Sequence, residues 1–228
     1  NYIKGGASYD YVSYSTSADP VRLITNEATG SNPYQYIVTG AGTDTLEGIE
    51  YIWYGSRYAD TMTCGSRGDY FHGHEGNDSI LGGGGNDTLH GGYGNYTVYG
   101  GMGNDTISGG WGSDMLYGGA DANDYTGNDT LAFQDFNPTT DPVFVNISKN
   151  SVTAIFGNNA RLLDGETSYG SPTGHGTDRV YGFKNIIGSN AGDYLYGNEH
   201  ANSIQGMSGD DTLVGGLGND ALDGGLGS

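Results

Sequence analysis

The sequence predicts an all-β chain in which turns and short strands coil and stack along one axis. Three observations carry this reading. Glycine-led nonapeptides recur in register, the eighth residue of each is apolar, and no segment has an apolar period near 3.6 residues with a cap and a stop. An extended chain alternates its side chains between two faces. One inward residue between two outward ones therefore describes a three-residue strand, and each nonapeptide reads as a turn plus such a strand.

Taken in order, residues 1–54 form a strand-rich lead-in with isolated repeats, "GGASYDYVS" from Gly5 and "TGAGTDTLE" from Thr39. Its segments "YDYVSYS", "YQYIVT" and "IEYIWY" are rich in β-branched and aromatic residues and read as strands. Residues 55–126 are a first run of nonads, "GSRYADTMT", "CGSRGDYFH", "GHEGNDSIL", "GGGGNDTLH", "GGYGNYTVY", "GGMGNDTIS" and "GGWGSDMLY", followed by an expanded copy from Gly118. Met62, Phe71, Ile80, Leu89, Val98, Ile107 and Leu116 fill their eighth positions.

Residues 127–187 are a spacer that repeats the lead-in. "TDPVFVNI" (140–147) resembles "ADPVRLIT" (18–25), and "GHGTDRVYGFKNIIGSNAGD" (174–193) resembles "GAGTDTLEGIEYIWYGSRYAD" (40–60). Its "VFVNIS" and "VTAIF" read as strands, and "TGHGTDRVY" from Thr173 is another isolated repeat. Residues 188–228 are a second run, with Leu195, Ile204, Leu213 and Leu222 at the apolar position. Its last copy, "GGLGS", stops before the sixth position, as expected of a piece of a longer protein.

A three-residue strand cannot bury itself, so copies must stack. With two nonads per coil, copies eighteen residues apart lie one above the other. At about 25 cal/mol per Å² a column of single aliphatic residues is a thin core, and 44 glycines carry a large ordering cost. Something besides apolar burial must hold the turns. The formal charge is -19, and 21 of the 27 acids are Asp, the carboxylate suited to turns and metal loops. Glycine turns that aim carbonyl oxygens one way, with a carboxylate at the sixth position, can surround a hard cation. Calcium fits that donor set; zinc needs His and Cys at ligand spacing, which the five histidines and the single Cys64 do not provide.

The nonads closely resemble GGxGxDxUx, the calcium-binding repeat of the RTX family, over about 110 residues. That resemblance implies a parallel β-roll or β-helix with Ca2+ (multiple) between every second turn. It also implies a secreted, extracellular or cell-surface bacterial protein exported by type I secretion through a C-terminal signal. Carried over by position, it implies Asp60, Asp69, Asp78, Asp87, Asp105, Asp114, Asp193, Asp211 and Asp220 as carboxylate ligands, with Asn202 offering a neutral oxygen. Carbonyls of the turn glycines Gly73, Gly82, Gly91, Gly100, Gly109, Gly206 and Gly215 would complete the shells. Turns eighteen apart pair Asp60 with Asp78, Asp69 with Asp87, Asp87 with Asp105, and Asp193 with Asp211. Tyr96 breaks the series between Asp78 and Asp114. A phenol, with a reference pKa of about 10, is a poor calcium ligand, so one or both positions beside it should be empty or weak.

So acidic a surface repels phosphate backbones and anionic lipid heads, and no apolar run approaches the roughly 18 residues of a membrane span. Nucleic acid and membrane insertion are therefore not expected. HExxH and G-x-S-x-G motifs are absent and the carboxylates are accounted for by turns, so the chain reads as no enzyme and no catalytic or cofactor-binding residue is assigned. The Asn77-Asp78-Ser79 type sequons and the Arg67-Gly68-Asp69 tripeptide fall inside the repeat and are products of it. His72 and His90 should stack as a solvated ladder on one outer face. Tyr99 and Tyr117 should stack on the other, where a tyrosine-rich surface offers contacts for self-association or a surface glycan. The expected function is a calcium-binding structural module that folds and rigidifies on extracellular calcium, as a building block of a surface layer, sheath or adhesin. The alternative is an accessory module of a secreted protease, lipase or alginate epimerase whose catalytic domain lies outside this chain.

Overall fold

The computed structural model describes residues 2–4, 10–25, 35–40, 43–47, 51–120, 126–133, 143–147, 166–169 and 177–227. No helix occurs among the described residues, so none is long and apolar enough to cross a membrane. The described strands form one sheet of thirteen and one of nine, and successive nonads alternate between them. Thr61–Thr63, Ser79–Gly84, Thr97–Met102 and Met115–Tyr117 lie in the larger sheet. Tyr70–Glu75, Thr88–Tyr93, Thr106–Trp111 and Thr130–Ala132 lie in the smaller.

Within the first run the strands from Thr61–Thr63 to Thr97–Met102 each pair in parallel with the strand eighteen residues on, two nonads per coil, while Thr106–Trp111 and Met115–Tyr117 pair with strands 24 and 64 residues on. Met62, Ile80, Val98 and Leu116 are in register along one sheet, and Phe71, Leu89, Ile107 and Leu131 along the other. Together they form the core, a double column of single side chains in which Ile80, Leu89, Val98, Ile107 and Leu116 have no exposed surface. The architecture is a parallel β-roll.

Strands in the middle of the first run are six residues long, twice the expected length. They continue across the glycine pair because its second residue bends the chain with positive φ (Gly83 +96°, Gly101 +108°) while the ladder persists. The Gly84 N–H, for example, donates to the Gly65 carbonyl. His74 (φ 82°) and Met207 (φ 80°) occupy that second position without being glycine, a conformation few side chains adopt.

The duplicated lead-ins share one topology. Arg22–Thr25, Gln35–Thr39 and Thr43–Glu47 pair antiparallel in sequence, as do Val143–Asn146, Glu166–Tyr169 and Thr177–Tyr181. In each copy the first strand pairs in parallel with the opening strand of the next run, Thr61–Thr63 or Tyr194–Tyr196. The strand after the antiparallel set, Tyr51–Tyr54 or Asn185–Ile187, joins the other sheet. That smaller sheet consequently runs from Tyr11–Ser13 to Ala221–Asp223 with parallel neighbours throughout. The strand expected at "VTAIF" lies outside the described residues.

Leu213 is only half-buried and Leu222 is 47% exposed, because their coils have a described neighbour on one side only. Leu89→Ala should therefore lower stability by about 2–5 kcal/mol, whereas Leu222→Ala should cost under about 1 kcal/mol. Denaturation of both variants in calcium checks this, and equal losses would contradict the column of buried side chains as the source of cohesion.

Candidate metal centre

Every turn must place its sixth residue where the chain bends from one sheet to the other. The structure fixes it there with one carboxylate oxygen. Asp78 Oδ1 accepts the Asp60 N–H at 2.9 Å, Asp87 Oδ1 that of Asp69 at 2.7 Å, and Asp105 Oδ1 that of Asp87 at 2.8 Å. Asp211 Oδ1 does the same for Asp193 at 2.8 Å, and Asp220 Oδ1 for Asn202 at 3.0 Å. The pairs expected from eighteen-residue spacing are thus neighbours along each edge of the roll.

The second oxygen is the informative one. Oδ2 of Asp78, Asp87, Asp105, Asp114 and Asp211 is buried and accepts no hydrogen bond from any described group. Buried oxygens without donors are costly and need another source of positive charge. Each points at the first glycine of its own turn. A Cβ on Gly82 would meet Asp87 Oδ2 at 2.5 Å and also the Gly100 carbonyl; one on Gly73 would lie 2.6 Å from Asp78 Oδ2 and 2.7 Å from the Gly91 carbonyl. On Gly100 it would meet Asp105 Oδ2 and the Gly118 carbonyl, on Gly109 Asp114 Oδ2, on Gly206 Asp211 Oδ2, and on Gly215 Asp220 Oδ2. These first-position glycines keep ordinary φ; what requires glycine there is space. Except at Gly73, where the Tyr96 ring intrudes, these carboxylate and carbonyl oxygens surround a place free of other side chains, which suits a hard cation such as calcium. No three His, Cys, Asp or Glu side chains converge among the described residues, so backbone carbonyls must share the work.

Other turns are closed by the chain's own groups. Ser56 donates from N–H and hydroxyl to the two oxygens of Asp60 (2.5 and 2.7 Å), and Ser189 does the same for Asp193 (2.7 and 2.8 Å). The Gly65 N–H reaches Asp69 Oδ2 at 3.1 Å. Asn202 accepts from the Asn198 N–H at 2.9 Å and donates its amide to the Lys184 carbonyl at 2.8 Å.

Tyr96 is 1% exposed. A Cβ on Gly73 would lie 2.9 Å from its Cε1, and one on Gly91 2.8 Å from its Cδ2, so the ring fills the space that is open in neighbouring turns. Its hydroxyl donates to the His74 carbonyl at 3.0 Å, while its N–H keeps the edge ladder by donating to Asp114 Oδ1 at 2.8 Å. Burial, and then the Asp78 and Asp114 charges, hold the phenol far above its ordinary pKa, so no phenolate forms.

Three features escaped the sequence reading. Asp129 and Asp178 extend the edge ladders, accepting the N–H groups of Asp105 and Asp114 at 2.9 Å each. Their signals, "GNDT" and "GTDR", were present in the expanded and isolated copies. Lys184 stands beside Asp129, where a sixth residue belongs, and its ammonium donates to the Gly127 carbonyl at 2.7 Å. Fifth-position asparagines build an outer amide ladder, with Asn77 Oδ1 accepting the Asn95 N–H at 2.9 Å and Asn86 Oδ1 that of Asn104 at 2.9 Å. Tyr99, Tyr117 and Tyr181 stack at 4.5 and 5.1 Å on one sheet, and His72 lies 6.0 Å from His90 on the other. Tyr117 is buried, and so is His90.

Burial raises the Asp78 and Asp87 carboxyls to about 8 and those of Asp114 and Asp193 to about 6; Asp105 also rises. In the open chain these groups ionise near 4. Between about pH 4 and about 8 the metal-free fold therefore holds more protons than the open chain, and its stability falls as pH rises through that window. In chelator, the strand signal in circular dichroism should be stronger at pH 5 than at pH 8. Equal signals would count against desolvated carboxylates as the destabilising groups.

A family model for the RTX calcium-binding nonapeptide repeat matches the chain in four copies, at residues 54–89, 63–98, 90–125 and 196–228. A search of curated proteins finds no match.

Proposed function

This chain carries RTX calcium-binding nonapeptide repeats over residues 54–125 and 196–228, and from that premise we propose that it is a structural module of a secreted or cell-surface bacterial protein, closing its roll on extracellular calcium. The observation that carries the proposal is the set of unpartnered buried oxygens on Asp87, Asp105, Asp114 and Asp211, each aimed into a glycine-walled space, with the Asp78 oxygen facing the space that Tyr96 fills. Asp220, whose second oxygen faces Gly215, completes the carboxylate set, with the first-position carbonyls as neutral ligands. Calcium, when bound, would supply the positive charge these turns lack, and their carboxylate and carbonyl oxygens would ligate it.

Without that charge the chain's own groups work against folding. Buried carboxylates face one another along each edge, and the glycines cost backbone entropy. About eight to ten divalent ions would offset the formal charge of -19, at affinities of about 0.1–1 mM typical of extracellular modules. Micromolar or lower calcium inside a cell would leave the chain open, and folding would follow export. The duplicated plan supports the building-block reading: each lead-in hands the sheets on to the next nonad run, so blocks extend one rigid rod.

Calcium titration into chelated protein should produce a cooperative gain of β signal at about 0.1–1 mM, reversed by chelator. A spectrum indifferent to chelator, in protein shown by elemental analysis to be metal-free, would overturn the proposal. Tyr96→Asp should restore an open turn and raise the bound calcium by at least one ion per chain. An unchanged stoichiometry would mean that the ring is not what closes that position.

A further inference from the structure

The third position of the nonad is free to vary, since Gly84 serves there in one copy. Along one edge of the roll the third-position residues, eighteen apart, are Arg57, Glu75, Tyr93 and Trp111; along the other they include Ser66, Gly84 and Met102. The first edge therefore carries an aromatic strip that the repeat does not demand. Tyr93 is 59% exposed and stacks on the partly buried Trp111, with centroids 5.8 Å apart and planes 27° apart. Beside them runs an open groove of about 670 Å³, with Arg57 and Tyr58 on one side, Glu75 and Asn77 along it, and Tyr93 on the other. Tyr58 is 40% exposed.

Flat rings held open to water next to short polar side chains are a binding surface whose ligand must be both apolar and hydroxyl-rich. A sugar is such a ligand. The C–H face of a pyranose packs on an aromatic ring, and its equatorial hydroxyls meet guanidinium, carboxylate and amide groups. The spacing agrees, because coils advance by the interstrand distance of about 4.8 Å, close to the length of one residue in an extended glycan. Arg57, Glu75, Tyr93 and Trp111 thus mark four successive rungs, one for each sugar. The groove's own charged groups, the Arg57 guanidinium and the Glu75 carboxylate, cancel, so it offers no net positive charge to a polyanion. Two rings and a few short side chains fall well short of the roughly 800 Å² per partner that a stable protein interface needs.

We propose that this edge binds a neutral, linear oligosaccharide lying along the roll axis, stacked on Tyr93 and Trp111 and hydrogen-bonded by Arg57, Glu75 and Asn77. The site goes beyond the calcium reading and needs only a folded roll. The test is titration of calcium-loaded protein with cellohexaose, maltohexaose and N-acetylchitohexaose, followed by calorimetry and tryptophan fluorescence. At least one should bind and change the emission, and Tyr93→Ala and Trp111→Ala should each weaken it at least tenfold while Met102→Ala on the opposite edge leaves it unchanged. If an aromatic variant loses its strand signal, Glu75→Gln, which keeps both rings, should still weaken binding. Failure of all three sugars to bind at about 10 mM, parental affinity in the aromatic variants, or tighter binding of polygalacturonate than of the neutral sugars would overturn the proposal.

Discussion

The structure depends on carboxylates buried at most of its bends. One oxygen of each sixth-position Asp holds the preceding coil through its backbone N–H, so the side chain cannot turn out to solvent without breaking the ladder. The other oxygen is thereby carried into a dry pocket. Burial raises the Asp78 and Asp87 pKa to about 8, which expresses the same fact as a protonation preference. A roll made this way holds its shape only where a proton, a cation or a protein donor answers that oxygen.

The chain uses protein donors at chosen places. Ser56 and Ser189 cap the first carboxylate of each run, and they are equivalent residues in the two copies of the lead-in. Tyr96 fills its turn with a ring and satisfies a carbonyl with its hydroxyl, Asn202 supplies an amide, and Lys184 brings an ammonium to the Gly127 carbonyl. Several of these closures cluster between Lys184 and Asn202, where the spacer meets the second run. The turns with bare oxygens instead lie mostly in the interior of the first run. Cohesion along the roll is therefore of two kinds, one supplied by the chain's own donors and one that needs a charge from outside the chain.

Glycine serves two purposes that composition alone merges. At the second position it takes positive φ so that the strand bends without losing its ladder, and His74 and Met207 show that this can be forced on other residues. At the first position its φ is ordinary and the requirement is emptiness, because a side chain would occupy the space between the carboxylate and the next carbonyl. The outer asparagine ladder accounts for the N-D-[ST] triplets, which turn out to be structural hydrogen-bond acceptors.

By itself the sequence determined the nine-residue unit, two units per coil, the inward column from Met62 to Leu116 and the acidic turn positions. All of these are periodic, and periodicity survives in one dimension. It also marked Tyr96 as the break in the series. Only the tertiary structure decided that mid-run strands span six residues, that Asp129 and Asp178 belong to the edge ladders, and that Lys184 and the two serines close turns unaided. Those outcomes depend on which atoms face each other across coils up to 64 residues apart, and loop lengths in the expanded copies hide that adjacency from any fixed spacing.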